Sequence, residues 1–277
     1  METLPRETLQ EILDRIQLKD QPVPRLTCKL FAEMIPRTPE YQRYLGLATD
    51  DPKLVSQAIS RKPEFGTNIC YLSAKQGSLE VLKWARFNDY PWDSWTCAYA
   101  AKNSHLKILK WARTNGCPWD SLTCALAAQN GHLEVLQWAR ANDCPWDAWT
   151  CTNAAQNGHL EVFQWARTNG CPWDSWTCVL AAQNGHLEVL QWARANDCPW
   201  DSWTCANAAR NGHLEVLQWA HQNDCPWDSR TCSFAAINGH LKILQYARQN
   251  GCPWDSQECL RASKNHPQVQ EWIRQNM

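Results

Sequence analysis

Cysteine is the chemically reactive residue that this sequence repeats most regularly. Fourteen of its 15 cysteines fall into two series, each with a constant step of 27 residues. One series contains Cys70, Cys97, Cys124, Cys151, Cys178, Cys205, Cys232 and Cys259, and the other contains Cys117, Cys144, Cys171, Cys198, Cys225 and Cys252. Cysteine sulfur can bind zinc or form disulfides, and both kinds of bond require short distances.

Neither reaction is expected within one series. Zinc ligands lie within about 4 Å of one another, and the Cα atoms of a disulfide lie within about 7 Å. Equivalent positions on stacked helices are about 8–10 Å apart. Cys117 and Cys124 could meet within one repeat, but the sequence contains no C-x-x-C pair. We therefore expect reduced, buried thiols that pack as small apolar groups, with no bound metal and no cofactor.

Histidine follows the same step at His105, His132, His159, His186, His213 and His240. Each lies between two predicted helices, where we expect a turn histidine that is hydrogen-bonded to the backbone. A catalytic site needs unlike residues at one point, and a series of like residues does not supply them. The P-loop, nucleophile-elbow and zinc-protease motifs are also missing from the sequence. We predict that the protein is not an enzyme.

The elements that carry these residues form a repeat array. The same step separates Trp84, Trp111, Trp138, Trp165, Trp192, Trp219 and Tyr246, which is typical of a solenoid of stacked units. In residues 117–143 the pattern predicts one helix over 121–130, after the N-cap Asp120, and a second over 132–142. Gly131 and Asp143 should end these helices in left-handed conformations. Helices this short need their neighbours for stability.

Two sets of residues in each repeat are expected to hold neighbouring units together. Small residues such as Cys124, Ala127 and Ala128 share one face of the first helix and allow close approach, while Trp138 lies on the broad apolar arc of the second. A further tryptophan follows proline in every clear copy, and we interpret it as a packing element between repeats. These are Trp92, Trp119, Trp146, Trp173, Trp200, Trp227 and Trp254.

Three segments are predicted along the chain. Residues 67–277 form the repeat array, with a C-terminal cap from about residue 252. In that cap Pro267 breaks the second helix, and Glu271, Arg274 and Gln275 face water. Residues 43–66 form a degenerate N-terminal capping repeat. Residues 1–36 form a separate helical segment.

Composition restricts the function further. A net charge of −1 argues against nucleic acid as a partner, because phosphate binding needs a basic surface. The chain lacks an apolar run of about 18 residues, so no membrane span is expected. The N-terminus has no signal-peptide pattern, and 15 cysteines without one favour a reducing compartment. We expect a cytoplasmic monomer.

The segment Ala127–Ala139, AAQNGHLEVLQWA, and its copies resemble the AAxxGHLEVVKLLL core of ankyrin repeats. The resemblance covers roughly residues 43–277. It departs from the family in its step of 27 residues instead of the usual 33, and in having CPWD where an ankyrin repeat has its β-hairpin finger. Such short arrays are similar to those of large DNA viruses of amoebae and of protists and algae. The resemblance implies an all-α solenoid of about eight helix-turn-helix units that binds proteins.

In ankyrin arrays the first helix lines a concave groove, so the resemblance implies that the variable positions on that helix bind the partner. These positions differ between copies in size, charge and aromaticity. They are Trp95, Tyr99, Lys102, Leu122, Leu126, Gln129, Trp149, Asn153, Gln156, Trp176, Leu180, Gln183, Trp203, Asn207, Arg210, Arg230, Phe234 and Ile237.

The N-terminal residues 1–36 resemble an F-box, the segment that docks on a Skp-type adaptor of cullin–RING ubiquitin ligases. The resemblance lies in the Leu-Pro start, in the apolar positions after it and in Thr27–Phe31, TCKLF. It implies that the adaptor contacts Leu4, Pro5, Leu9, Ile12, Leu13 and Ile16. Pro22 and Pro24 lie where the F-box has its second helix. Alternatively, the segment is an amphipathic helix that caps the array.

These resemblances together predict a substrate receptor. The F-box-like segment would dock a ubiquitin-ligase adaptor, and the groove would hold a target protein in the cytoplasm, which is the host cytoplasm if the chain is viral. The alternative is an ankyrin-type binding or decoy scaffold without ligase docking. The sequence does not name the target.

Overall fold

The computed structural model describes residues 68–277. The predicted F-box-like segment, 1–36, and the predicted N-terminal cap, 43–66, lie outside the described residues. Over the described part the chain is all-helical, with 16 helices in repeated helix-turn-helix pairs and no strand, as the sequence predicts. It divides into two compact units, of which the first ends at Trp119 and the second runs from Asp120 to Met277.

The first unit contains two helix pairs in its described part. The first pair is α1 (Ile69–Gln76) with α2 (Leu79–Phe87), and the second is α3 (Ser94–Lys102) with α4 (Leu106–Thr114). The two first helices, α1 and α3, pack against each other. Their contact buries Cys70, Leu72, Cys97 and Ala101.

The second unit contains six helix pairs. They are α5 (Ser121–Gln129) with α6 (Leu133–Ala141), α7 (Ala148–Gln156) with α8 (Leu160–Thr168), α9 (Ser175–Gln183) with α10 (Leu187–Ala195), α11 (Ser202–Arg210) with α12 (Leu214–Gln222), α13 (Ser229–Ile237) with α14 (Leu241–Gln249), and α15 (Ser256–Ala262) with α16 (Pro267–Gln275). Each first helix packs against the first helix of the next pair.

Both helices of a repeat begin and end where the sequence predicts, to within about one residue. The Asp120 carboxylate accepts a hydrogen bond from the Leu122 amide at 3.0 Å and caps α5. Gly131 follows with a left-handed φ of 75°, and Asp143 takes φ of 63° after α6. The predicted spans 121–130 and 132–142 overrun α5 and α6 because they include capping residues, which lie outside the helical hydrogen bonds.

The core lies between neighbouring repeats. Cys124, Ala127 and Ala128 on α5 are fully buried, as are Leu136 and Ala139 on α6. Trp138 is half-buried rather than fully covered. The apolar arc of a short helix is wider than the neighbouring repeats can cover, so an indole at its edge keeps part of its surface in contact with water.

The last helix pair departs from the prediction at Pro267. This proline is the first residue of α16, and nothing interrupts the helix after it. A proline at the first helical position loses no hydrogen bond, because the amide there has no partner within the helix. Pro267 therefore starts the helix that it was expected to break. Glu271, Arg274 and Gln275 are exposed.

Six histidines at helix turns hold two repeats of their unit together. The His186 ring lies over Gly158 of the preceding repeat, and its Nε2–H donates to the Gln156 carbonyl at 3.0 Å. A Cβ at Gly158 would lie 2.7 Å from the ring. His105, His159, His213, His240 and His266 make the same contact with the repeat before them. The predicted hydrogen bond to the backbone is confirmed, and it crosses between repeats.

This contact predicts different costs for two alanine substitutions. Gly158 and Gly170 both have left-handed φ, of 74° and 86°, but a Cβ at Gly170 would meet no atom within 4 Å. Gly170→Ala should lower the free energy of unfolding by about 1–2 kcal/mol, the cost of a left-handed non-glycine residue. Gly158→Ala should cost at least twice as much, because the His186 ring must also move. Urea unfolding measures both, and equal losses would contradict the proposed contact.

Candidate protein-binding surface

The first helices of both units present tryptophans to solvent. Trp95 is 47% exposed, Trp149 60%, Trp176 57% and Trp203 40%. Each is the second residue of its helix, and its amide donates to the aspartate N-cap two residues earlier. The cap fixes where the helix begins, and so it fixes which side of the helix the indole occupies. We call this solvent-facing side the first-helix face.

In the first unit this face is an aromatic cluster with two cations. The Tyr99 ring lies 5.8 Å from Trp95 and 5.4 Å from Tyr71, measured between ring centroids. The ammonium groups of Lys75 and Lys102 lie 5.6 and 5.8 Å from the centre of the Tyr99 ring. The predicted residues Trp95, Tyr99 and Lys102 are therefore brought together.

In the second unit the face changes along its length. No aromatic or cationic group of the described residues stacks on Trp149 or Trp176. Trp203 is covered by the Arg230 guanidinium, 4.0 Å from the ring centroid, and the Phe234 ring lies 6.3 Å away. Arg230 also forms a salt bridge of 2.5 Å with Asp228 and donates to Ser202 Oγ at 2.9 Å. The bond from Arg230, and an interaction of Asp228 with Ser202, lower the pKa of the Asp228 carboxyl. The two bonds of Arg230 hold its guanidinium against the indole.

Most of the other predicted residues of the second unit are less exposed than the tryptophans. Arg210 and Ile237 are exposed at the C-terminal ends of their helices. Those that are half-buried are Leu122, Leu126, Gln129, Asn153, Gln156, Leu180, Gln183, Arg230 and Phe234. They lie closer to the neighbouring first helix. For example, Asn153 Nδ2 donates across to the Ala125 carbonyl at 3.4 Å.

Asn207 was predicted to be a partner-binding residue, and the structure corrects this prediction. Only 7% of the residue is exposed, and its Nδ2 donates to the Trp203 carbonyl at 2.9 Å. It lies between the helix positions of Trp203 and Arg210, whose side chains both reach the Phe234 ring. Asn207 is therefore buried within the array and does not belong to the accessible surface.

The tryptophans that follow proline pack between repeats, as predicted. The Arg167 guanidinium lies 4.2 Å from the Trp173 ring centroid, and its Nη1 donates to the Cys171 carbonyl at 3.1 Å. The Trp192 ring of the next second helix meets Trp173 at 6.2 Å, edge to face. The same stacking on the tryptophan that follows proline is made by Arg86, Arg140, Arg194 and Arg248. At the equivalent position His221 lies flat on Trp227, with 3.7 Å between the ring centroids.

All 14 cysteines of the described residues are buried and unbridged. The sequence suggested a meeting of the two series only within one repeat, at Cys117 and Cys124, and the interaction between successive repeats was missed. Interaction with the Cys144 thiol, together with burial, raises the pKa of Cys124 far above its usual range. Burial raises the pKa of Cys70 to about 12. At Cys70 and Cys124 the thiolate, which is the reactive form, is thus disfavoured. The constant offset of 20 residues between the two cysteine series was the feature of the sequence that could have predicted this interaction.

No group of three or more metal-ligating side chains within residues 68–277 could hold a metal ion. In the same range no helix is long and apolar enough to cross a membrane. What the second unit does build is a row of exposed indoles, Trp149, Trp176 and Trp203, on one side of its first helices. Such a row can stack on another molecule.

Comparison with known proteins identifies the fold class. The crystal structure of the human ASB11 ankyrin repeat domain is similar to this chain with a TM-score of 0.54 and a sequence identity of 14%, and the match covers 65% of this chain and 97% of that one. No family model matches the sequence, and no curated protein does. The described residues therefore form an ankyrin-like helical repeat solenoid. Because the sequence identity is low, the similarity concerns the fold alone.

The turn histidine His186 predicts how stability depends on pH. Burial lowers the pKa of His186 below 6.5, and the neighbouring His213 and His159 lower it further, while the bond to the Gln156 carbonyl opposes them. A lowered pKa in the fold means that the unfolded chain binds the proton more readily. The stability from this site is therefore complete above about pH 6.5 and is lost as the pH falls below it.

We expect the urea concentration at the unfolding midpoint to decrease when the pH is lowered from 7.5 to 5.5. The drop should be smaller in His186→Gln, which cannot titrate, although that variant is less stable at pH 7.5. The His186 signal, assigned in proton NMR by its loss in the variant, gives the pKa directly. A value at or above the unfolded-state pKa would contradict the prediction.

Proposed function

We propose that this chain is a protein-binding module whose partner lies on the first-helix face. The observation that carries the proposal is the exposure of 40% to 60% at Trp95, Trp149, Trp176 and Trp203, while the tryptophans between repeats are engaged in packing. Exposed indoles reduce solubility, and tryptophan, tyrosine and arginine dominate the energetic centres of protein interfaces. The ankyrin-like fold supports the same function.

Residues 1–36 refine the proposal. Their F-box-like pattern supports a substrate receptor that links a bound target to a cullin–RING ubiquitin ligase through a Skp-type adaptor in the cytoplasm. Pro22 and Pro24, which lie where an F-box has its second helix, favour a second candidate. In that candidate the array is a binding or decoy scaffold and residues 1–36 only cap it. In both, the protein acts as a monomer and needs no cofactor.

Target binding is tested by comparing two triple variants. Replacing Trp176, Trp203 and Arg230 by alanine should weaken binding of the target at least tenfold, since truncating an interface anchor costs about 2 kcal/mol or more. Replacing the exposed Glu134, Glu161 and Glu188 of the second helices by lysine should leave binding within about twofold, as expected outside an interface. Quantitative mass spectrometry of proteins captured from a lysate measures both.

Both variants must give the circular dichroism spectrum of the parent chain. Loss of capture in the glutamate variant, with capture kept in the tryptophan–arginine variant, would move the partner to the second helices. It would then rule out the first-helix face.

Adaptor binding is tested separately with the purified Skp-type protein. Leu4→Ala with Pro5→Ala should abolish the interaction of the full chain, because the F-box resemblance assigns the Leu-Pro start to the contact. A chain that begins at Thr38 should keep target capture and lose the adaptor. If the intact chain does not bind the adaptor, the binding or decoy scaffold is the correct candidate.

A further inference from the structure

One residue of the second unit shows what the first-helix face can bind. Arg230 occupies in α13 the position that Trp203 occupies in α11 and Trp176 in α9. Its guanidinium stacks 4.0 Å from the Trp203 ring centroid and bonds to Asp228 and to Ser202 Oγ. Within this protein, therefore, an indole and the N-cap aspartate of the next repeat already hold an arginine together.

The same receptor groups recur without an arginine in the two preceding repeats. Trp176 is followed in the next repeat by Asp201, and Trp149 by Asp174. Trp149 and Trp176 are 60% and 57% exposed, whereas Trp203 under Arg230 is 40% exposed. The difference indicates that Trp149 and Trp176 expose to solvent the ring surface that Arg230 covers on Trp203.

The interval between these indoles suits a planar cation. Adjacent packed helices lie about 8–10 Å apart, and α7, α9 and α11 pack in succession. A guanidinium that stacks at the 4.0 Å seen for Arg230 would fill the space between two successive rings. A polyproline II segment advances about 9 Å in three residues, so arginines three residues apart in an extended segment would enter adjacent spaces.

The negative charge of the N-cap aspartates also favours a ligand that carries guanidinium groups. The carboxylates of Asp147, Asp174 and Asp201 lie at the N-termini of α7, α9 and α11, two residues before each indole. They repel nucleic acid and other anions and attract guanidinium groups. Arginine fits better than lysine because its flat guanidinium can stack and still donate to a carboxylate.

We propose that the first-helix face between Trp149 and Trp203 binds an extended protein segment with two arginines three residues apart. One arginine lies over Trp149 next to Asp174, and the other lies over Trp176 next to Asp201, as Arg230 lies over Trp203 next to Asp228. This proposal rests on the proposed function and names the chemistry of its partner.

A fluorescein-labelled peptide tests the proposal by fluorescence anisotropy with the full chain. The peptide carries Arg-Ala-Pro-Arg between Gly-Ser flanks, and a second peptide has both arginines replaced by lysine. The arginine peptide should bind with a dissociation constant below about 1 mM, and the lysine peptide at least threefold more weakly. Trp149→Ala with Trp176→Ala should reduce the affinity at least tenfold.

Two further variants separate the proposed contacts from general effects on folding. Asp174→Asn with Asp201→Asn keeps good N-caps but removes both charges, and it should weaken binding at least threefold. Trp203→Arg should place an internal guanidinium over Trp176, as Arg230 covers Trp203, and should lower the affinity at least fivefold. Glu134→Gln with Glu161→Gln, on the second helices, is the matched control and should bind like the parent chain.

Several outcomes would overturn the proposal. They are failure of the arginine peptide to bind, equal binding of the two peptides, unchanged binding in Trp203→Arg, or tighter binding of an oligothymidine of eight nucleotides. If the peptide fails but the variant of Trp176, Trp203 and Arg230 still loses the target, only the arginine proposal is wrong. If neither experiment shows a loss at this face, the proposed function fails with it.

Discussion

The stacking of an arginine on the tryptophan that starts the next repeat is the contact on which the array depends. Helices of nine residues, such as α7 and α8, are too short to be stable alone in water. Arg167 joins them to the following repeat by stacking on Trp173 and donating to the Cys171 carbonyl. A cation on an aromatic ring contributes about 0.5–2 kcal/mol, and the array repeats the contact at each junction that has an arginine.

This junction also decides which aromatic residues remain free for function. Trp173 is held between Arg167 and Trp192, so its exposure to a ligand is limited. Trp176, three residues later, lies beyond the N-cap Asp174 and faces solvent. One short segment therefore supplies both the packing tryptophan and the candidate binding tryptophan of the repeat. The aspartate between them separates the two roles by starting the helix.

The buried thiols belong to the packing and not to a chemical site. Cys151 is fully buried on α7, and its Sγ lies 3.9 Å from the Cys171 carbonyl at the start of the next repeat. A cysteine is small enough to let two first helices approach closely, and its weak donor can reach a loop carbonyl. The Cys171 thiol in turn donates to the Asp147 carbonyl at 3.4 Å. The repetition of cysteine is thus explained by two positions at each junction that need a small side chain.

The sequence by itself determined the repeat and its local geometry. The step of 27 residues, the N-cap Asp120 and the left-handed Gly131 follow from helix and capping rules, which involve only residues near one another in the chain. The outward side of the first helix was predictable at Trp149 and Trp176 for the same reason, because helical periodicity assigns faces. Residues 1–36 and 43–66 keep the status of predictions from the sequence.

Only the tertiary structure decided how one repeat meets the next. That His186 bonds to the Gln156 carbonyl, that Cys124 meets Cys144, and that Asn207 is buried depend on atoms of different helices. Helical periodicity assigns a residue to a face but does not say which atoms of a neighbour lie opposite. The same holds for Arg230, whose place over Trp203 follows from the packing of α13 against α11 and could not be read from the sequence around it.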